Sequence, residues 1–113
     1  MDGGWASFML SHYVREAGVF TLPQAIKKMT ADPAAVIGLK DRGILKTGMK
    51  ADINVFSPED VTELQPLLVN DFPDKAPRYI QKSRGFKATI VNGHVNVLDG
   101  EPTGARAGQV LRH

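Results

Sequence analysis

The stretch KATIVNGHVNVL, residues 87–98, decides the second half of the fold. Two runs of β-forming residues flank Asn92-Gly93, the pair that best supplies positive φ at both central positions of a type I′ turn. The stretch therefore predicts a β-hairpin with strands 87–91 and 94–98. A two-residue register sets apolar residues against apolar ones and polar against polar, which gives the hairpin one apolar face. The opposing pairs are Ile90 with Val95, Ala88 with Val97, and Thr89 with Asn96.

Upstream of the hairpin, residues 51–56 predict another strand, because Ile53 and Val55 alternate with polar residues. Residues 57–82 contain four prolines and few clear periodicities, so we expect a long connection on the surface. The glycine-containing tail from residue 100 predicts turns and a terminal extended piece. The second half of the chain is therefore predicted to be β-structure.

Helical patterns fill the first half of the chain. From Trp5 to Ala17 the larger apolar residues recur at three- and four-residue steps, which predicts a helix with one buried stripe. The stripe comprises Trp5, Phe8, Met9, Tyr13 and Ala17. Thr21 and Gln24 have the spacing of a capping box and predict a second helix over 22–30. Asp32 before Pro33 predicts a cap and a short third helix over 33–37, so the predicted fold class is α+β.

The composition of the chain argues against several classes of protein. The chain has 113 residues with 42% hydrophobic content, enough for one modest core. Fourteen Lys and Arg against twelve Asp and Glu give a net charge of +2, and the basic residues are scattered, so nucleic-acid binding is disfavoured. We expect no membrane-spanning segment, because no apolar run is long enough, and no signal peptide, because the N-terminus lacks the basic and then apolar pattern of one. The absence of cysteine fits a cytoplasmic protein.

Few residues suggest chemistry. The three histidines, at positions 12, 94 and 113, lack the spacing of zinc ligands, so we expect no metal site within this chain. His12 stands beside the predicted stripe, where a structural histidine bonded to a carbonyl is the favoured interpretation. Asp2 precedes Gly3-Gly4 and is either a carboxylate near a ligand or part of a frayed terminus. The residues alone thus indicate an α+β domain without a visible active site.

Several segments, in order, resemble the N-acyl-D-amino-acid deacylases of the amidohydrolase superfamily. The helical part is similar to the last barrel helices of that family, and the later part to its small β-domain. The segments are SHYVR at 11–15, the helix 22–30 followed by Asp32-Pro33-Ala34, GLKDRG at 38–43, GMKADINV at 48–55, ATIVNG at 88–93 and DGEPTGA at 99–105.

The resemblance implies a division of the chain and a reaction. Residues 1–43 would be the carboxyl-terminal helices of a (β/α)₈ barrel, and residues 44–113 part of the small β-sandwich domain. A barrel takes about 250 residues, so the chain does not contain it, and the family's His-x-His metal motif is absent. In the family, zinc-activated water attacks the amide of an N-acyl-D-amino acid. Asp2 would match the aspartate that transfers the proton, although it stands closer to Ser11-His12 than in the family.

Two functions follow from this reading. The first is the carboxyl-terminal portion of a metal-dependent deacylase, inactive alone, with zinc expected in the complete enzyme. The second is a small non-catalytic binding or interaction domain derived from the same fold. In either case the apolar stripe would face water, because the barrel is absent, so we expect it to contact an upstream barrel portion or a second copy.

Overall fold

The computed structural model describes residues 3–111, which form the predicted α+β fold. The helical elements are α1 (Trp5–Phe8), a π-helix (Met9–Glu16), α2 (Leu22–Met29) and α3 (Ala31–Val36). The strands are β1 (Ile53–Phe56), β2 (Thr62–Glu63), β3 (Leu67–Val69), β4 (Arg78–Ile80), β5 (Ser83–Arg84), β6 (Phe86–Val91), β7 (His94–Leu98) and β8 (Glu101–Pro102). A 3₁₀ turn, Pro73–Lys75, lies between β3 and β4. Within residues 3–111 no helix has the length and apolar character needed to cross a membrane.

The main sheet is antiparallel and has the strand order β1-β6-β7-β8. The predicted hairpin is confirmed, with φ of 48° at Asn92 and 81° at Gly93. Ile90 pairs with Val95 as predicted, but the rest of the predicted register is wrong. A bulge beside Ile90 shifts the pairing by one residue, because a bulge sets two residues of one strand against one of the other. Beyond it, Thr89 pairs with Val97 and Ala88 with Leu98.

The long surface connection predicted over residues 57–82 contains strands that the sequence pattern did not predict. Two antiparallel ribbons form there, β2 with β5 and β3 with β4. Their strands are only two or three residues long, which is too short for a period-two pattern to show in the sequence. The β3–β4 ribbon is closed by a turn in which Asp74 and Lys75 both have positive φ.

The second helix is confirmed together with its capping box: the Thr21 side chain accepts from the Gln24 backbone, and the Gln24 side chain accepts from the Thr21 backbone. The third helix begins earlier than predicted, at Ala31. Asp32 therefore lies inside its first turn rather than at the cap, where it forms an ion pair with Lys27. An acidic residue in a first turn still complements the positive end of the helix.

The prediction of a buried apolar stripe on the first helix is also wrong. The buried residues are Ser7, Leu10 and Ser11, whereas Trp5 is 56% exposed. Phe8 and Tyr13 are each 39% exposed. The wider turn of the π-helix changes which side chains share a face. The predicted stripe instead belongs to an exposed aromatic face, defined by Trp5, Phe8, His12 and Tyr13. The Phe8 ring stacks on His12 at 4.8 Å and meets Tyr13 edge-on at 5.4 Å.

The core is small for a chain of this length. The buried hydrophobic residues of the described chain are Leu10, Ala25, Ala34 and Val61. The accessible surface is 8432 Å², whereas a compact monomer of this mass exposes about 6,100 Å². The radius of gyration, 15.7 Å, likewise exceeds the value of about 13 Å typical for this length. The chain thus folds around little buried apolar surface of its own.

Candidate functional site

The candidate site lies where α1 and the π-helix that continues it meet the β2–β5 ribbon. Asp2, the predicted catalytic residue, lies outside the described residues, so the site is defined here by the residues that follow it. Gly4 caps α1 at its amino end, and its carbonyl accepts a hydrogen bond of 2.9 Å from the Phe8 backbone. The backbone just after Asp2 is therefore anchored as the start of a helix.

Side chains of the π-helix bind the chain around β2. Ser11, which is 3% exposed, donates to a carboxylate oxygen of Glu63 at 3.0 Å. The Arg15 guanidinium donates to the carbonyl of Val61 at 2.7 Å and to that of Pro58 at 3.1 Å. Each of these bonds joins residues more than forty positions apart. They therefore hold the helical half of the chain, residues 3–36, against the β half, residues 53–111.

A close backbone contact completes this junction. Val61 is fully buried, and a Cβ placed on Gly85 would lie 2.5 Å from the Val61 nitrogen and Cα. Gly85 also has a φ of +87°, a conformation that side chains disfavour. Its carbonyl accepts from the Ser57 backbone at 2.9 Å. Only glycine lets the two segments approach this closely.

The groove beside the junction is apolar. It has a volume of about 200 Å³ and lies between the π-helix, the start of α2 and the chain after β1. Leu10, Val14, Phe56 and Val61 contribute to its walls. The Arg15 guanidinium at its edge already donates to two carbonyls. The carboxylate on its wall, Glu59, accepts a hydrogen bond of 3.1 Å from the Ser57 hydroxyl, so the groove offers mainly apolar packing.

The histidines do not assemble a reaction centre in the described chain. His12 Nδ1 forms a hydrogen bond of 3.0 Å with a carboxylate oxygen of Glu16. The prediction that His12 bonds to a carbonyl is therefore wrong. This hydrogen bond and the stacking on Phe8 give His12 a structural role on the aromatic face. His94 begins β7 beside the hairpin turn, and His113 lies outside the described residues.

The side chains of residues 3–111 do not fit a metal ion. No group of three or more histidine, aspartate or glutamate side chains converges there, and the chain has no cysteine. A zinc site requires three or four such ligands around one point. The described residues therefore cannot supply the donor set.

Asp52, which lies in the segment GMKADINV that resembles the family, has a structural role. One Asp52 oxygen accepts from the Asn92 backbone at 2.8 Å, and the other accepts from Arg42 at 2.9 Å. The Asn92 side chain donates in turn to the carbonyl of Ala107 at 2.6 Å. Arg42 also donates to Asp41, and this bond holds the pKa of the Asp41 carboxyl below its usual value. Asp52 thus joins the hairpin turn to Arg42, and the Asn92 side chain joins the turn to the tail.

The chain belongs to the amidohydrolase family, whose family model matches residues 1–97. The resemblance seen in the sequence is thereby confirmed. The structure agrees, since helices lead into an antiparallel sheet whose hairpin turn is anchored by Asp52. The family assignment rests on nearly the whole chain rather than on one motif.

Within that family the chain is similar to deacylases of N-acyl-D-amino acids. The N-acyl-D-aspartate deacylase of Alcaligenes xylosoxydans xylosoxydans is 44% identical over 110 residues, covering 95% of this chain and 20% of the relative. The crystal structure of a D-aminoacylase superposes with a TM-score of 0.78 at 32% identity, over 97% of this chain and 21% of that one. An N-acyl-D-glutamate deacylase from Bordetella bronchiseptica, complexed with zinc and a phosphonate inhibitor, superposes with a TM-score of 0.72 at 36% identity, with the same coverage of each chain. The chain spans about a fifth of the length of these relatives.

Proposed function

We propose that this chain is the carboxyl-terminal portion of a metal-dependent deacylase of N-acyl-D-amino acids, and that it is inactive alone. The similarity to deacylases extends over 95% of the chain but only 20% of the relative. In this proposal residues 1–43 supply the last helices of the enzyme's barrel and residues 44–113 part of its β-domain. The reaction is hydrolysis of the amide bond between the acyl group and the amino acid.

The observation that carries the proposal is the excess of exposed surface. A chain that exposes 8432 Å² in place of about 6,100 Å² leaves apolar side chains without contacts. The aromatic face is one such surface, and large exposed apolar patches on proteins mark interaction surfaces. We propose that the upstream barrel portion covers this face, and that in the isolated chain two copies cover it for each other.

In this proposal the chain supplies only one of the groups that the hydrolysis needs. Zinc is the metal in the Bordetella relative, and the described residues here lack a matching donor set, so the proposal places the metal in the portion outside this chain. Asp2 is our candidate for the residue that takes a proton from the attacking water and returns it to the leaving nitrogen. A carboxylate acts in this way when it is held within hydrogen-bond reach of the reacting atoms.

Co-expression with the upstream portion of the 44% identical relative tests the proposal. We expect the isolated chain to show no turnover of an N-acyl-D-aspartate and the complex to show metal-dependent turnover. Asp2→Asn removes the ionisable carboxylate and should lower kcat of the complex by about 100-fold or more. Asp99→Asn is the matched control, because Asp99 lies in an exposed turn whose positive φ asparagine also accepts.

The outcomes separate the parts of this proposal. Metal-dependent turnover by the isolated, repurified chain would show that the catalytic centre is already present in it. Full activity of the Asp2→Asn complex would remove only the role of Asp2. A complex that forms and stays inactive would instead support the second function, a non-catalytic binding domain.

A further inference from the structure

The β3–β4 ribbon presents an apolar pair on one of its faces. Leu68 and Tyr79 are direct partners in the register of the ribbon, so their side chains stand side by side on the same face. They are 60% and 66% exposed. The neighbouring pair, Leu67 and Ile80, points to the other face, because side chains alternate along a strand. Ile80 is half-buried, so the Leu68–Tyr79 face is the more exposed of the two.

The tip of the ribbon adds a polar rim to this face without adding net charge. The Arg78 guanidinium donates two hydrogen bonds of 2.6 Å to Asp71 and lies 5.3 Å from the centroid of the Phe72 ring. An apolar centre with a polar rim, rich in aromatic residues and arginine, is typical of protein–protein interfaces. Residues 66–80 contain two acidic and two basic side chains. A neutral ribbon does not repel a copy of itself, whereas a strongly charged one would select a partner of opposite charge.

Prolines restrict how another chain can approach the ribbon. Pro66 directly precedes β3, and Pro77 directly precedes β4. Proline has no backbone N–H to donate, and it is one of the residues by which proteins block pairing at strand edges. Addition of a further strand is therefore disfavoured at the start of both strands. The exposed face, rather than an edge, is the surface that a partner can cover.

The area that the chain exposes is larger than one interface accounts for. The accessible surface exceeds that of a compact monomer of the same mass by about 2,300 Å². An interface of standard size hides about 800 Å² on each partner. Even if the aromatic face is covered in one interface of this size, enough surface remains for a second one of the area that a stable dimer needs.

We propose that the Leu68–Tyr79 face binds the same face of a second copy of this chain. In a two-fold arrangement Leu68 of each copy meets Tyr79 of the other, so one apolar pair is sufficient to build a self-complementary surface. The face lies on different elements from the aromatic face, and the proposal does not rest on the proposed function. A chain with two such surfaces assembles beyond a dimer at high concentration.

Sedimentation velocity of the isolated chain tests the two surfaces separately. Trp5→Ser weakens the aromatic face, and we expect this variant to remain a dimer through the ribbon. Adding Leu68→Thr and Tyr79→Thr to it should raise the Kd of that dimer at least about tenfold, because central apolar and aromatic residues carry most of the binding. Threonine retains a high β-propensity, so the ribbon should still form. Leu45→Thr, the same change at an exposed leucine outside the ribbon, is the matched control and should leave the Kd unchanged.

Cross-linking locates the contact within the ribbon. The chain has no cysteine, so Leu68→Cys introduces a single thiol while retaining an apolar side chain. A short bismaleimide should join two copies of this variant. Leu67→Cys is the matched control, because residue 67 is similarly exposed but lies on the opposite face of the same strand. We expect the Leu67→Cys variant to lose most of the cross-linked product.

Two results with the isolated chain would overturn the proposal. One is a Trp5→Ser variant that folds, as judged by its thermal melt, and stays monomeric at every concentration. The other is equal cross-linking at positions 67 and 68, which would show that the ribbon has no preferred face.

The co-expressed complex identifies which partner covers the ribbon. We expect the Leu68→Cys thiol to cross-link two complexes to each other. A monomeric complex in which this thiol is protected from maleimide would show that the upstream portion covers the ribbon, and would overturn the proposal. A complex without turnover would contradict the proposed function alone, because the tests of the ribbon on the isolated chain do not depend on activity.

Discussion

The β half and the helical half of this chain differ in what holds them. β1, β6, β7 and β8 pair within the chain across segments distant in sequence, and Asp52 anchors the hairpin turn. The helical half is held by hydrogen bonds within its helices and presents the aromatic face to solvent, and the β half also exposes large apolar side chains, among them Leu68 and Tyr79. In both halves, therefore, backbone pairing does not imply a complete core. Side-chain burial, rather than secondary structure, indicates where another surface is needed.

The two halves are joined by a narrow junction. Ser11, Arg15 and Val61 supply the contacts across it, and Gly85 permits the close approach of the backbone. Because the buried hydrophobic residues are few, this junction should contribute a large share of the chain's stability. Changes at the junction and changes on the exposed faces should therefore have very different effects.

The largest effect is expected from Gly85→Ala. A methyl group there would lie 2.5 Å from the Val61 backbone, which cannot move aside as a flexible side chain would. With the strain of positive φ added, we expect a loss of about 3 kcal/mol or more in the free energy of unfolding. Chemical denaturation followed by circular dichroism measures this loss.

Gly93→Ala is the matched control for that experiment. Gly93 has a φ of +81°, close to that of Gly85, but no atom lies within 4 Å of the added methyl group. We therefore expect only the conformational cost, about 1–2 kcal/mol. Equal losses at the two positions would show that the Gly85–Val61 contact does not stabilise the junction.

The part of the fold that sequence predicts well is the part determined by local chemistry. Asn92-Gly93 specifies its turn, and the Thr21–Gln24 capping box starts α2, because each signal acts within a few residues. The bulge in the hairpin and the β2–β5 ribbon were missed. Both depend on pairing between distant segments, which a local period does not report.

Local sequence patterns are equally limited in predicting the candidate site. Ser11 and Arg15 fall in a segment that resembles the family, but their bonds to Glu63 and Val61 join segments far apart in the chain. Glu63 and Val61 lie in the stretch predicted to be a long surface connection, and their contacts with the π-helix follow only from the fold. The buried stripe was wrong because amphipathic periodicity identifies an apolar face without identifying what covers it.

The smallest effect is expected away from the junction, at the exposed Asp71–Arg78 pair. The Arg78 guanidinium donates two hydrogen bonds of 2.6 Å to Asp71 and thereby lowers the pKa of its carboxyl. Any stabilisation from this shift is present above the unfolded-state pKa and is lost as pH falls through the lower folded-state pKa. Arg78→Gln should raise the Asp71 pKa toward its usual value, measured by carboxyl NMR titration. An unchanged titration would contradict the pairing.

The most direct test of the central claim uses Trp5, the single tryptophan of the chain, whose side chain lies on the aromatic face. The chain labelled with 5-fluorotryptophan gives one ¹⁹F resonance whose solvent-isotope shift reports exposure. Dilution of the isolated chain should increase this shift if two copies cover the face, and addition of the upstream deacylase portion should reduce it as Trp5 is buried. A Trp5 resonance that stays equally exposed at every concentration and in an active complex would contradict the account.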